Sequence, residues 1–532
     1  MFKDKTRLLS KTVPLSLLGI LLLVMIVTVF MRAGSYGLTV DEKLQDDYGH
    51  SLLAWYQSFG KDTSFLHYPW FYYMPQHGAI FDTIVAKAQD IFGQPWYTRA
   101  VINGLAGVIG VVAVTLCGYE LGGWWVALLA ALGLWLYPRY YGALYNNPKD
   151  VPFAAAMALT LWAILILMKR WERRGSYLLN SLLVGFCIGL AASIRVTACI
   201  YFPILAMILV AWWVLHGWRT FKAKKLLAAL IKQGTAAVII AVESVITMML
   251  LWPYIFLNPL ANLYDSIKVM QKFPWPGPVV FEGKVYTATE LPRQYAPVWL
   301  VIGSPPAVVA LALLGLFLAC AWIIKKRALD YRIAVIILSL FVPLGFIVAM
   351  DATLYDGMRQ FLFLVPPLVL VAVYGCISLF RFLYSKRKAL AIGFTCLIFA
   401  SYLLLVRDMV NLYPYEYSYF SPLIGGIAGA NGQYDTDYWG ICNKPAAEWL
   451  ANHYRAFTHK PNPTMRGNMY DFQSLTYLPN VFRAEQSNPD FYISTTRFGL
   501  NNYFSNYVVI HTESLQGIPE CVVKVNPAVM GR

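Results

Sequence analysis

Three carboxylates stand where they could do chemistry. Asp41 and Glu42 lie in Leu38-Thr39-Val40-Asp41-Glu42-Lys43-Leu44, and Asp150 ends Asn146-Asn147-Pro148-Lys149-Asp150. As the first turn of a helix, an acidic pair does no more than suit the macrodipole, with Thr39 or Asp41 as cap. Gathered at one rim, the three can act as a general base. Alternatively, Asp41 and Asp150 can hold a divalent cation such as Mg or Mn through oxygen ligands.

Cations suited to an anion accompany them. Arg359, in Tyr355-Asp356-Gly357-Met358-Arg359, either pairs locally with Asp356 or clamps a phosphate with its planar donor fork. Arg195 sits in the apolar run GLAASIRVTACIYF. An ionised group at mid-membrane depth costs roughly 2.5–3.5 kcal/mol, so it either snorkels to headgroups or has a ligand. Lys149 fits equally as counter-charge to Asp150 or as a phosphate ligand. Glu243, in AVESVITMM, reads as a structural carboxylate far from this rim. Among the 7 histidines none has HExxH spacing, which argues against a dedicated zinc site.

What must position these residues is a membrane domain. Of the 532 residues, 58% are hydrophobic and only 13% charged, and the mean hydropathy is +0.53. An ordinary soluble domain carries about 25% charged residues, so lipid must solvate much of this surface. About eleven spans of roughly 20 residues fit the chain, near 12–31, 100–118, 123–138, 153–168, 177–194, 197–215, 227–252, 300–324, 333–350, 361–380 and 389–406. The first apolar run is longer than a signal-peptide core of about 7–15 residues, so it reads as a retained helix.

Basic clusters fall in the short connections of one side. Lys3, Lys5, Arg7 and Lys11 precede the first span; Lys169, Arg170, Arg173 and Arg174 follow the fourth; Arg219, Lys222, Lys224 and Lys225 follow the sixth. Lys325, Lys326, Arg327 and Arg332 follow the eighth, and Arg381, Lys386, Arg387 and Lys388 the tenth. These twenty of the 43 Lys and Arg predict a cytoplasmic N-terminus by the positive-inside rule. The net charge of +15 is thus a membrane address, and no nucleic-acid partner is expected.

The stretches 32–99, 139–152, 253–299, 351–360 and 407–532 all fall on the opposite, outer face. In 32–99 the spacing of Leu44, Tyr48, Leu52 and Tyr56 predicts an interfacial helix over 44–59, and Ile80, Ile84, Ala88 and Ile91 predict the apolar face of a second over 79–92. The segment FPWPGPVVFEGKVYTATELPR (273–293) has two strand-like runs around a turn. Residues 1–406 form a transmembrane domain and 407–532 a small extracytoplasmic α/β domain, with a helix at 445–454 and strands near 490–494 and 507–511. Cys442 and Cys521 are the two cysteines of that outer domain, so a disulfide between them is expected.

An acidic pair after the first span, interfacial helices and a second Asp after the third span resemble the GT-C membrane glycosyltransferases. The likeness is to the bacterial branch related to protein O-mannosyltransferases and the lipid A aminoarabinose transferase. Asn146-Asn147-Pro148-Lys149-Asp150, Pro274-Trp275-Pro276-Gly277-Pro278 with Glu282-Gly283-Lys284, Tyr355-Asp356-Gly357-Met358-Arg359 and Thr436-Asp437-Tyr438-Trp439-Gly440 look like that family's motifs. The resemblance implies a polytopic helical fold in the bacterial inner membrane. It also implies transfer of a sugar, with inversion, from a polyprenyl-phosphate donor to an extracytoplasmic acceptor that is a lipid, a glycan or a protein. Asp41 would be the base, with Glu42 and Asp150 assisting or binding metal. The resemblance favours phosphate clamping by Arg359. Arg195, Lys149 and Asp356 are further candidates for substrate binding, and His67 and His77 either order the aromatic loop or hydrogen-bond a sugar. The competing reading, a transporter or flippase of such lipids, predicts internal repeats and charged broken helices at mid-membrane. The sequence has no such repeat, and its acids gather at one face.

Overall fold

Backbone groups in lipid must be satisfied within the segment, and this chain does so with helices. The computed structural model describes residues 11–69, 72–172, 177–214, 223–275, 277–326, 330–468 and 470–530. Lys3, Lys5, Arg7, Arg173, Arg174, Arg219, Lys222 and Arg327 of the basic clusters, and Pro276 of the outer loop, lie outside the described residues.

In chain order the helices of the first part are α1 (Thr12–Arg32), α2 (Glu42–Gln57), α3 (Ile80–Phe92), α4 (Pro95–Gly122), α5 (Trp124–Trp135), α6 (Pro138–Ala143), α7 (Asp150–Glu172), α8 (Leu178–Ala192) and α9 (Tyr201–Trp212). There follow α10 (Ala223–Leu251), α11 (Pro253–Leu257), α12 (Pro259–Gln271), α13 (Tyr295–Ile302), α14 (Pro306–Lys326), α15 (Tyr331–Ala349), α16 (Val365–Lys386) and α17 (Lys388–Leu412). Among the described residues, α1, α4, α7, α10, α14, α15, α16 and α17 are long and apolar enough to cross a bilayer. Helices α5, α8 and α9 are shorter apolar helices at the remaining predicted positions. The chain is a multi-pass membrane protein.

Helix α7 is the most enclosed of the long helices and α17 the least. Close crossings need small residues, because lipid tails offer helices no hydrophobic drive to associate. Gly185 and Gly189, one turn apart on α8, meet α10 directly. A Cβ on Gly189 would stand 2.7 Å from the Ser244 carbonyl oxygen, and Ser244 Oγ donates to the Gly185 carbonyl at 3.1 Å.

On α3, Phe81, Asp82, Thr83, Val85, Ala86, Ala88 and Gln89 are buried, while Ile84 and Ile91 are exposed. One local expectation needs correction. The span near 300–324 is two helices, α13 and α14, separated by Gly303-Ser304-Pro305.

The C-terminal part is a five-stranded sheet, β3 (Thr464–Gly467), β4 (Arg483–Ala484), β5 (Phe491–Thr495), β6 (Val508–Leu515) and β7 (Ile518–Val525), in the order β4-β3-β5-β7-β6. β3 runs parallel to β4 and β5, whereas β7 is antiparallel to β5 and β6. Every residue of the central β5 is buried. A helix over Asn443–His453 packs on the sheet, and the Cys442–Cys521 disulfide joins its start to β7, with Cα atoms 5.7 Å apart.

This domain is pinned to the membrane part at several points. Tyr36 donates to Glu416 at 2.8 Å, and Gln473 Nε2 donates to the Leu38 carbonyl at 2.8 Å. The hairpin β1 (Pro278–Phe281) and β2 (Lys284–Thr287) meets it as well, where Gly283 N donates to the Gln433 carbonyl at 3.1 Å.

Candidate active site

The turn before α2 carries Asp41. Neither Thr39 nor Asp41 caps the helix through its side chain, contrary to expectation. Glu42 instead reaches back and accepts from Thr39 N at 2.8 Å, which leaves the Asp41 carboxylate directed elsewhere. Consecutive helical residues point about 100° apart, so the pair divides. Asp41 lines a cavity of about 220 Å³. Glu42 is buried away from it, 3.9 Å from Arg99.

Arg99, on α4, also lies 3.6 Å from Asp46 and 2.8 Å from Asp82. One guanidinium thus serves three acids, and burial pushes the Glu42 carboxyl up to about 8. Burial raises Asp82 too, against the pull of Arg99. The cluster binds α2, α3 and α4 into one support beneath Asp41.

Five charged residues singled out in the sequence meet Asp41 in the cavity wall: Asp150, Lys149, Arg195, Asp356 and Arg359, from three other segments. Asp41 Oδ2 accepts from Arg359 Nη1 at 2.6 Å. Asp150 accepts from Arg195, and Asn147 donates to its other oxygen at 3.0 Å. Lys149 has no carboxylate within ion-pair distance among the described residues. Burial and the neighbouring Arg195 lower its ammonium to about 8.

His77 lines the same cavity, and burial beside Lys149 and Arg195 holds its imidazole well below the usual range. A Cβ on Gly78 would stand 2.2 Å from the Ser193 carbonyl oxygen, so only glycine lets this loop lie against the Arg195 turn. His67 is exposed and does not reach the cavity. Glu243 accepts from the Thr247 hydroxyl at 3.1 Å and lies outside it.

The C-terminal domain supplies part of the wall that sequence reasoning missed. Arg497 donates to Asp356 Oδ1 at 2.5 Å and to the Tyr438 carbonyl at 2.7 Å, and its Nε lies 3.5 Å from Asp435. Phe498 follows it with φ of 58°, opposite Asp356 with φ of 57°. Left-handed backbone at an aromatic residue is costly and is characteristic of functional sites. Trp439, Tyr470 and Phe498 add aromatic surface, as do Phe273 and Trp275 of the outer loop. Asn146, buried in the same wall, has neither polar side-chain atom hydrogen-bonded. Its presence in the Asn146–Asp150 motif was the available signal; nothing in the sequence ties Arg497 to Asp356, 141 residues away.

A second, apolar cavity of about 350 Å³ adjoins the first and shares His77, Arg195, Phe273 and Tyr355 with it. Its walls include Ile267 and Met270 of α12 and Pro343, Phe346 and Ile347 of α15. Among the described residues, no three His, Cys, Asp or Glu side chains converge as a metal site. Both carboxylates suited to a cation, Asp41 and Asp150, are instead ion-paired to arginines.

No family model and no curated protein sequence matches the chain. Solved structures do. The apo oligosaccharyltransferase of Archaeoglobus fulgidus aligns with a TM-score of 0.51 at 14% identity, over 87% of this chain and 63% of that one. ArnT from Cupriavidus metallidurans bound to undecaprenyl phosphate aligns over 97% of this chain and 99% of that one, at 13% identity and a TM-score of 0.48. AglB from A. fulgidus, with an inhibitory peptide and a dolichol-phosphate, gives 0.49 at 13% identity over 89% and 69%. The chain thus shares the fold of the A. fulgidus oligosaccharyltransferase, in keeping with the polytopic helical architecture expected from the sequence.

Proposed function

We propose that this protein is an integral-membrane glycosyltransferase that moves a sugar from a polyprenyl-phosphate donor to an acceptor hydroxyl or amide, with inversion. The observation that carries the reading is the junction of the two cavities. A charged chamber lined by three arginines, and by a lysine with no carboxylate partner among the described residues, opens beside an apolar groove, and Arg195 belongs to both. That combination suits one molecule with an anionic head and a hydrocarbon tail. The fold shared with an oligosaccharyltransferase supports it.

In this reading the acceptor enters from the aromatic side, by Tyr470, Trp439 and Phe498. Asp41 takes the acceptor proton as the acceptor atom bonds to the anomeric carbon. The bond from that carbon to the phosphate oxygen breaks, and the electron pair leaves on the lipid phosphate. Arg195, Lys149 and Arg359 stabilise the developing charge. Glu42 acts on Asp41 only through the fold of α2. A divalent cation on Asp41 and Asp150 would have to displace Arg359 from the one and Arg195 from the other.

The basic ends of the helices, Lys169 and Arg170, Lys325, and Lys386 to Lys388, lie at the opposite end from the cavity. By the positive-inside rule this supports a cytoplasmic N-terminus and a periplasmic site in a bacterial inner membrane. The test is transfer or sugar release by the reconstituted protein with a panel of polyprenyl-phosphate sugars. Asp41→Asn should lower kcat by about 10²–10⁴. Wild-type turnover in that variant would sink the base assignment, and lipid translocation without bond cleavage would sink the reading as a whole.

A further inference from the structure

One arginine of the charged cavity is already engaged by the base. Arg359 Nη1 lies 2.6 Å from Asp41 Oδ2, so while the pair stands that oxygen is occupied and cannot meet an acceptor. The two residues lie 318 positions apart and come from different segments, so the pair is made only by the tertiary fold. We propose that Arg359 is a donor-operated latch: it occupies Asp41 in the empty site and is drawn off by the donor's phosphate, which frees the base only when donor is bound. This rests on the donor class proposed above and adds to it an order of events.

The surroundings of Arg359 suit a pivot. Its Nε lies 3.3 Å from Asp356 Oδ2, without hydrogen-bond geometry. Asp356 is fixed from the other side by Arg497, at 2.5 Å, and Arg497 in turn lies 3.5 Å from Asp435. Tyr355 and Trp439 flank the guanidinium, with ring centroids 5.1 Å and 5.9 Å from its carbon. One edge is therefore held by buried groups, with Asp356 5% exposed, while the other meets Asp41, 35% exposed at the cavity. The contact that can be exchanged is the one facing the ligand. A phosphate offers the fork more than one oxygen and more charge than one carboxylate, which makes the exchange favourable. The second pair, Asp150 with Arg195, leaves a local cation at the groove to receive the same anion. Asp356 and Arg497 are positioning residues in this scheme, since each acts on the reacting groups through Arg359.

The latch makes a prediction opposite in sign to that for a carboxylate which helps to bind donor. If Asp41 competes with phosphate for Arg359, removing its charge must improve binding. Equilibrium binding of undecaprenyl phosphate to the full-length protein in detergent micelles is measured for wild type, Asp41→Asn, Arg359→Gln and the double variant. Asp41→Asn should bind about tenfold tighter, the equivalent of one charge-assisted hydrogen bond released from competition. Arg359→Gln should bind about tenfold weaker or worse. In the Arg359→Gln background, Asp41→Asn should bring no further gain.

Equal or weaker binding by Asp41→Asn overturns the latch. So does a gain that survives in the Arg359→Gln background, because simple charge repulsion would then explain it. Absence of binding by wild type overturns the donor class, and the latch with it, and is read separately from either result. Should the asparagine protein fail to fold, Asp41→Ser removes the same charge and carries the same test.

Discussion

Replacing Arg497 by Gln tests how far the C-terminal domain builds the site. The side chain is 11% exposed and faces Asp356 at 2.5 Å and Asp435 at 3.5 Å, both carboxylates only 5% exposed. Breaking a buried pair from one side typically costs about 3–5 kcal/mol, because the remaining charge is left in low dielectric. Here Asp356 retains Arg359 at 3.3 Å, whereas among the described residues Asp435 retains only the Val280 amide, 3.2 Å away. The expected destabilisation is therefore at the lower end, about 3 kcal/mol. It should appear as a lower unfolding temperature in detergent and as easier proteolysis after Val406. Adding Asp435→Asn removes the charge left without an arginine and should restore about 1–2 kcal/mol. An Arg497→Gln protein that melts with wild type refutes the reasoning. Strict additivity of the two substitutions does so as well, since it would mean the two groups do not interact.

Other consequences are equally direct. Burial raises Glu42 to about 8, Glu520 to about 8 and Glu416 to about 7, so each holds a proton in the fold that the unfolded chain gives up at lower pH. Their stabilisation is complete below the ordinary value of 4.5 and is lost as pH rises through 7 to 8. Melting temperature should fall across that window, and Glu42→Gln should flatten the slope. An unchanged profile in Glu42→Gln would show that Glu42 is already ionised in the fold. Gly189→Val places a branched side chain 2.7 Å from the Ser244 carbonyl, and about 1–3 kcal/mol of stability should be lost as α8 and α10 are forced apart. Melting at the wild-type temperature would deny that close crossing. Chelation with EDTA should leave transfer unchanged, because Arg195 holds Asp150 and leaves Asp41 alone for a cation; a chelation-sensitive, Mg- or Mn-restored activity would contradict this.

Much of the architecture is written in local chemistry. Apolar runs, basic clusters and the charge deficit specify a polytopic membrane protein, since a bilayer permits few other solutions for such segments. The hairpin at 278–287, the helix at 443–453 and the strands at 491–495 and 508–515 follow from turn residues and alternation close in sequence. Asp41, Asp150, Arg195 and Arg359 are conspicuous for a similar reason, as ionised groups beside lipid need a partner or a purpose. Which partner each takes is another matter.

Sequence by itself thus determined what kinds of group lie at the ends of the helices opposite the basic clusters. Only the tertiary structure decided that Arg359 pairs with Asp41 as well as its neighbour Asp356, that Glu42 turns to Arg99, and that Arg497 arrives from the C-terminal domain. The same packing set Asp82 of α3 against Arg99 of α4. Periodicity and local charge act over a turn or two of helix. Ion pairs between residues hundreds of positions apart are chosen by how the helices close on one another, and no short-range pattern records that choice.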